Sequence, residues 1–522
     1  MMMNAAEYRE SLRRYKPRVW VDGQAIESVA DAPQLRPGIN ALGVTYDMAL
    51  REELAPVMLA VQASSGKTVN RMLHTDTSSA DLLNKLEAVR ILCQETGCAQ
   101  RYLVHDAFSA LVQATTRIDA DKGTRYAERF TAYLHDFQDK DLSLGICMTD
   151  AKGDRSKRPH EQANIDSYVH IVERNARGIV ISGTKAIVTG APYVHEFLVM
   201  PCRNMIAADA DFAVCCAVPC DADGVTVIAR PAGRPGEKAA LFSNRYGQST
   251  GVVVFDTVFV PWERVFLAGE WEHSSHLTYS YATHHRQTCI AARAGFGDLL
   301  IGAGALMCEA NGFDPGQETH LREQMVQLIS IVEGFYACGV AASVYATEDK
   351  ASGVVMPDPV FSNIGKLLLA NQIYEMHRIA HYVSGGLIVT LPGPDEDHNP
   401  STAANLADVL RANPDVPYDK RIQAARFIED LTASYQGGWY SVISLHGGGS
   451  PAAMKQEIWR NYPVGNKVEL VERLLNRGLL ADAPRPITAN RQPGKCCDTG
   501  CTPPAKTTMV ALPASHRDSL AT

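Results

Sequence analysis

This chain is short of the features that mark many ligand-binding and targeting functions. It has no basic surplus: 50 Lys and Arg stand against 58 Asp and Glu, for a net charge of −8. Nucleic acid or an anionic membrane would need clustered positive charge, so neither is expected as a partner. No run approaches the roughly 20 apolar residues that cross a bilayer. The start, MMMNAAEYRESLRRYKPRVW, has no apolar segment of the secretory kind. A cytoplasmic protein is expected. No GxGxxG follows a strand pattern, and neither a Walker P-loop nor HExxH occurs, which argues against a Rossmann site and those phosphate and zinc sites. HGGG at 446–449 has no GxSxG elbow to accompany it, so a hydrolase of that type is set aside.

Paired CxxC spacing is also missing. The 13 cysteines are an odd number spread through a long chain, as expected of reduced, mostly buried thiols. Three groupings stand out: Cys93 with Cys98, Cys215–Cys216 with Cys220, and Cys496–Cys497 with Cys501. None has zinc-ribbon spacing. The middle group lies in FAVCCAVPCDADG, a strand pattern closed by a turn, so its cysteines are read as small strand residues. His377 and His381 share one helical face but lack carboxylate or cysteine partners in register, which favours packing over metal binding. No metal site is expected.

What is present divides the chain into blocks. Residues 1–141 read as mainly helical; an example is the capped run SADLLNKLEAVRIL from Ser79. Residues 142–272 switch to strand periodicity. YVHIVER, NARG and IVISGTKAIVTG read together as a hairpin, and GVVVFDTVFVPW as a further strand ended by its proline. Residues 273–484 return to helices, expected over 291–310, 320–347, 364–383, 421–435 and 452–476. Residues 485–522 have no periodicity and read as an extended tail, laid over a neighbouring subunit. The fold class is α+β, with a β-barrel or sandwich between two helical parts.

Several stretches carry a resemblance in order and spacing: LRPGINALGVTYDMA from Leu35, GCAQRYLVHDAF from Gly97, CMTDAKGDR from Cys147, GTKAIVTGAP from Gly183, HHRQTCIAARAGFGD from His284, MHRIAHYVSGGLIVTLP from Met376 and SLHGGGSP from Ser444. Together they resemble the 4-hydroxyphenylacetate 3-hydroxylase and 4-hydroxybutyryl-CoA dehydratase flavoprotein family, and the dehydratase branch more closely. The resemblance implies an acyl-CoA dehydrogenase-like fold: N-terminal helical domain, central β-barrel and C-terminal helical bundle. It implies FAD between barrel and bundle, in a homotetramer whose neighbours complete the site. Flavin contacts carried over are Thr149, Lys152, Asp154, Arg155, Thr189 and Gln248. The late turns add Gly385, Gly386, His446, Gly447 and Gly448. For Thr149 and Thr189, a plain strand threonine is the alternative.

The departures from the family bear on the chemistry. The dehydratase holds a [4Fe–4S] cluster on three cysteines and one histidine. Here the ligand positions carry Cys98, Tyr102, His285 and Ala292, so two of four ligands are gone, and a cubane needs thiolate-type ligation. Cys289 has the wrong spacing but lies about one helical turn from His285. The dehydratase's acid–base glutamate matches Ile443. The aromatic hydroxylases carry Arg where Cys98 stands and His where Ile146 stands, but share the phenol of Tyr102. The first expectation is therefore an FADH₂-dependent monooxygenase acting on a small organic substrate, aromatic ones included. Reduced flavin would come from a separate flavin reductase, because no NAD(P)H fingerprint is visible. Tyr102 would serve as a hydrogen-bonding or acid–base group and His285 as a partner to substrate; Arg293 would be a charge near it, and Cys98 completes the candidate catalytic set. A packed tyrosine, a core histidine and a surface salt bridge are the bland alternatives. The second expectation is an O₂-independent flavin lyase, isomerase or dehydrogenase acting on an acyl-CoA-like thioester; the third is a non-catalytic homologue.

Overall fold

The computed structural model describes residues 2–477. The expected tail over 485–522, with Cys496, Cys497 and Cys501, lies outside the described residues. Met1–Arg460 form one compact unit. It opens with α1 (Ala5–Leu12), where the Asn4 side chain accepts from the Glu7 N–H and the Glu7 carboxylate accepts from the Asn4 N–H. There follow β1 (Arg18–Val21), β2 (Gln24–Ile26), α2 (Arg36–Asp47), the single turn α3 (Ala55–Met58), and the strands β3 (Leu59–Val61) and β4 (Thr68–Asn70). Three longer helices complete this part: α4 (Ser79–Thr96), α5 (Tyr102–Lys122) and α6 (Tyr126–Asp139). Ser78 caps α4 by accepting from the Asp81 N–H, one residue before the capped run read from Ser79.

The strands β5 (Leu144–Cys147), β6 (His170–Asn175), β7 (Gly178–Thr189), β8 (Glu196–Val199), β9 (Val214–Pro219), β10 (Val225–Ala229), β11 (Thr250–Pro261) and β12 (Val265–Ala268) come next. They form two sheets, ordered β2-β1-β10-β11-β7-β6 and β12-β9-β8-β5. The predicted hairpin is β6–β7, antiparallel with Asn175 opposite Gly178. The first block is less purely helical than its periodicity implies, because β1 joins the larger sheet in parallel with β10. Cys215 and Cys216 are adjacent in β9 and both fully buried. A strand covered on both faces favours small apolar residues at successive positions.

The C-terminal part holds α7 (Ser274–Ala310), α8 (Thr319–Val344), α9 (Pro359–Ser384), α10 (Ala403–Val409), α11 (Tyr418–Thr432), α12 (Tyr435–His446) and α13 (Pro451–Asn461). Helices α4, α5, α8, α9 and α11 all pack on α7. Their apolar faces form one core (Leu86, Phe296, Val332, Leu369, Ile428), while the sheets and α5–α6 form another (Phe108, Phe130, Phe197, Phe255). The second unit, from Asn461 on, contains α14 (Val464–Arg477). The sequence reading of transmembrane potential needs correction. Two helices, over Trp271–Ala310 and Thr319–Val344, are long and apolar enough to cross a membrane by length and composition. The first is largely buried within the fold, and its polar residues point into the site described below.

One glycine is required by this arrangement. Gly97 ends α4 at φ 66, and a Cβ there would lie 2.5 Å from the Tyr440 hydroxyl. Gly97→Ala is expected to destabilise the chain by roughly 1–3 kcal/mol, combining left-handed strain with overpacking. Gly236→Ala, at φ +82 with nothing within 4 Å, carries strain alone and should cost less. Urea unfolding of both variants checks the order; equal losses would show that the Tyr440 contact is unimportant.

Candidate active site

The reversal at Gly97 sets Cys98 and Tyr102 at the start of α5, facing α7. Cys98 Sγ lies 3.8 Å from Tyr102 Oη. Burial pushes both the thiol and the phenol up, so each keeps its proton near neutrality. The turn is clamped from the sheet side, where Gln248 Nε2 donates to the Cys98 carbonyl at 2.7 Å. It is clamped from the bundle by Arg293, whose Nη1 reaches the Gly97 carbonyl at 3.4 Å while Nε donates to Ser444 Oγ at 2.6 Å. Arg293 is buried rather than part of a surface salt bridge.

A second group lies alongside on α7. His285 is flanked by Tyr281 and Tyr102, with ring centroids 5.4 and 6.2 Å away and nearly parallel planes. Its Nδ1 donates to Asp106 Oδ2 at 3.1 Å, and its Nε2 lies 3.4 Å from Cys289 Sγ. Asp106 also accepts from Thr288 Oγ1 at 2.6 Å, and Lys85 Nζ lies 3.6 Å from it. Beneath, Lys85 donates to Asp76 at 3.0 Å, and His105 and His284 face the same carboxylate at 2.9 and 3.4 Å. On the other side, Lys366 Nζ donates to the Ser444 carbonyl. Gly448 closes the group: a Cβ on it would stand 3.3 Å from His285 Cδ2 and 3.9 Å from Lys366 Cε.

The electrostatics follow from these contacts. Burial opposes charge on His285, but the neighbouring Cys289 sulfur and the Asp106 carboxylate outweigh it and raise the imidazole to about 10. Burial likewise opposes a Cys289 thiolate, yet His285, Lys366 and Arg293 together hold that thiol below its ordinary value. Burial, helped by the neighbouring Arg293 and Arg286 guanidinium groups and opposed by Cys289, brings Lys366 down to about 8. The site therefore sets an imidazole favoured in its charged form beside a thiol whose ionisation the neighbouring cations assist.

The expected site residues do not all gather here. Cys98, Tyr102, His285, Arg293, Gln248 and Gly448 do. Thr149 and Thr189 are half-buried and share a different seam: the Thr149 carbonyl accepts from the Ala186 N–H at 2.8 Å, and Thr189 ends β7 opposite Thr250. Thr149 follows β5 rather than lying in it. Lys152 has φ 72 in the loop that follows. Asp154 is exposed and accepts from Ser156 at 2.7 Å, and Arg155 is exposed without an ion pair among the described residues. Gly385 and Gly386 are exposed beside a surface depression lined by Arg378, His381 and Tyr382. Gly447 follows α12, and His446, its last residue, is exposed. His377 and His381 serve interhelical packing, against Ser441 at 3.3 Å and Thr432 at 2.8 Å. Sequence reasoning missed Asp106, Lys366, Ser444 and the directness of the Cys289–His285 contact; only the last had a signal, the i,i+4 spacing.

The residues do not fit the cubane. Tyr102 and Ala292 offer a phenol and a methyl group where thiolates are needed, and no group of three or more His, Cys, Asp or Glu is gathered for a metal among the described residues.

Models of the 4-hydroxyphenylacetate 3-hydroxylase N-terminal and C-terminal regions match residues 4–267 and 274–476. The chain belongs to the 4-hydroxyphenylacetate 3-hydroxylase and 4-hydroxybutyryl-CoA dehydratase family. It is 34% identical to 4-hydroxybutyryl-CoA dehydratase/vinylacetyl-CoA-Δ-isomerase of Clostridium aminobutyricum, over 91% of this chain and 99% of that one. It is 24% identical to the oxygenase component of 4-hydroxyphenylacetate 3-monooxygenase of Thermus thermophilus, over 91% and 97%. Among solved structures, an oxygen-tolerant archaeal 4-hydroxybutyryl-CoA dehydratase from N. maritimus superposes with a TM-score of 0.87 at 33% identity, covering 93% of this chain and 97% of that one. These relatives share one fold, with helical terminal regions around a central β region, and this chain has it.

The His285–Asp106 contact makes a titration prediction. Asp106→Asn removes the carboxylate, so the imidazole should titrate about 1–3 pH units lower than in the parent, moving from about 10 toward its ordinary range. Histidine-selective NMR titration reads this directly. An unmoved titration would mean that Cys289 alone sets the charge.

Proposed function

We propose that this enzyme is an O₂-independent flavoprotein isomerase that moves a proton between the α and γ carbons of an unsaturated acyl-CoA-type thioester. The observation that carries the reading is the buried imidazole of His285, held by Asp106 at 3.1 Å next to the cations of Arg293 and Lys366. Abstracting a proton beside a thioester carbonyl builds negative charge on the carbonyl oxygen, which fixed cations in a water-poor site stabilise. A proton shift needs an acid–base group and that stabilisation. It has no net redox change, so neither the missing cluster ligands nor a reductase is required. Similarity to a protein whose name joins a dehydratase with a vinylacetyl-CoA isomerase supports the same side.

FAD fits the seam between Thr149, Thr189 and the Cys98 turn. Gln100 Nε2 reaches the Thr189 carbonyl at 3.5 Å while its Oε1 is buried without a protein partner. Further along, Arg230 Nε and Gln436 Nε2 are also buried and unpartnered. Such orphans cost free energy unless a ligand satisfies them. Thr149, Gln100 and Thr189 would face the ring and Arg155 the phosphates, and the group's contribution is a redox-active ring beside the carbon chain. HpaB, the oxygenase component of 4-hydroxyphenylacetate 3-monooxygenase, was solved in this fold with FAD. Arg155→Ala should weaken flavin binding roughly ten- to a hundredfold by deleting a charge-assisted hydrogen bond, read by fluorescence titration of the flavin-free chain; an unchanged affinity removes Arg155 from the site.

The function test is anaerobic: the FAD-loaded enzyme with vinylacetyl-CoA should yield crotonyl-CoA, and His285→Asn should slow this by roughly 10²–10⁴-fold. A second reading, the reductase-fed monooxygenase, is favoured by the phenol of Tyr102 at the hydroxylases' position. Incorporation of ¹⁸O from ¹⁸O₂ into a phenolic substrate, with no anaerobic isomerisation, would replace the first reading by the second.

A further inference from the structure

The isomerase reading leaves open which group takes the proton from carbon, and the geometry answers with a residue outside the family's ligand and acid–base positions. Cys289 lies one turn after His285 on α7, with Sγ 3.4 Å from Nε2. Asp106 holds Nδ1 at 3.1 Å, and Nε2 is the ring nitrogen nearer the sulfur, which lies 3.9 Å from Nδ1. Cys289 is 9% exposed and His285 7%, whereas Cys93 is fully buried. Lys85, Lys366 and Arg293 surround the pair, with Asp106 as its partnered carboxylate.

Resting on the isomerase reading, we infer that Cys289 is the carbon base and His285 the carbon acid of this site, acting together on the α and γ positions of a β,γ-unsaturated acyl thioester. The step balances without an oxidant. The sulfur of the thiolate takes the α proton, and the C–H electron pair delocalises through the adjacent double bond and the thioester carbonyl as a dienolate. His285 Nε2 gives its proton to the γ carbon, which draws the electron pair into a new α,β double bond. The residues are left as thiol and neutral imidazole, and transfer of the proton from Sγ to Nε2 across their contact restores the starting pair. Thiolate and imidazolium side by side thus supply a base and an acid to two carbons of one chain. Burial raises the cost of separating charge, but the pair is stabilised by neighbours of matched sign, as in other cysteine–histidine sites.

Two measurements test the assignment. First, the flavin-free chain is treated with limiting iodoacetamide and labelling is mapped by peptide mass spectrometry. Cys289 should be modified faster than Cys98 in the parent, and the preference should disappear in His285→Gln. Second, the FAD-loaded enzyme is incubated anaerobically with vinylacetyl-CoA in D₂O. The parent should form crotonyl-CoA and exchange the α hydrogen. Cys289→Ala should lose both by roughly 10²–10⁴-fold with flavin binding retained, and Cys289→Ser, an isosteric replacement, should also lose them because a hydroxyl is a far weaker acid than a thiol. Parent-like exchange in Cys289→Ser, or labelling of Cys289 no faster than Cys98, overturns the base assignment even where isomerisation is seen. Fast labelling of Cys289 without exchange or isomerisation in the parent overturns the thioester reading and the base role with it.

Discussion

Everything in the site depends on keeping Asp106 ionised inside the protein. A carboxylate removed from water costs several kcal/mol unless paired, and Asp106 is fully buried between α5 and α7. Three partners make it tolerable: Thr288 and His285 donate to it, and Lys85 stands 3.6 Å away. Together they hold its carboxyl below the usual range despite burial. Lys85 in turn is shared with Asp76, itself faced by His105 and His284. The result is a buried ladder of alternating charge running from α4 through α5 to α7. Truncating one member takes a partner from a buried charge, so the ladder ties these helices together as well as orienting His285.

That ladder also explains why losing cluster ligands need not leave the site inert. Tyr102 replaces a ligand with an aromatic ring that packs 6.2 Å from His285, and Ala292 is fully enclosed in the helical core. What remains is an imidazole no longer committed to iron, oriented by Asp106 and facing a new sulfur one helical turn away. The cations Arg293 and Lys366 are both anchored to Ser444, through its hydroxyl and its carbonyl. One residue before the Gly-rich turn thus places two charges, and Gly448 lets that turn approach His285 without a side chain in the way.

Much of this architecture was legible in the sequence. The β6–β7 hairpin and, to within one residue, the capped start of α4 were written in local patterns, and their partners lie within a few residues. Helix α7 was read from Ala291 but starts at Ser274; the polar HHRQ segment hides its amphipathic face, because those side chains turn inward to the charge ladder instead of outward to water. Helix α12 went unread because Gly437 and Gly438 look like a loop. The structure needs Gly437 there, since a Cβ would stand 2.7 Å from the Thr432 backbone of α11. In the site, the resemblance supplied Cys98, Tyr102, His285 and Arg293. Asp106 and Lys366 stayed hidden because their partners are 179 and 78 residues away, a separation that no local pattern encodes.

The choice between oxygen chemistry and proton transfer also turns on where charge is needed. The Cys98 turn presents a protonated thiol and a protonated phenol, both driven neutral by burial, so this side of the site can donate hydrogen bonds but has no base. The charged groups lie around α7: His285, Cys289 and Arg293 stand at successive turns of that helix, and Lys366 comes from α9. A reaction that generates an anion on a carbonyl oxygen draws on both sides at once: base and cations from α7 and α9, neutral donors from the Cys98 turn and α5. At the positions where the resemblance implies the hydroxylases' arginine and histidine, this chain has Cys98 and the buried, apolar Ile146, and the group stacked on Tyr102 is His285. On the proposed reading, it is this arrangement of charge around α7 that the thioester chemistry uses.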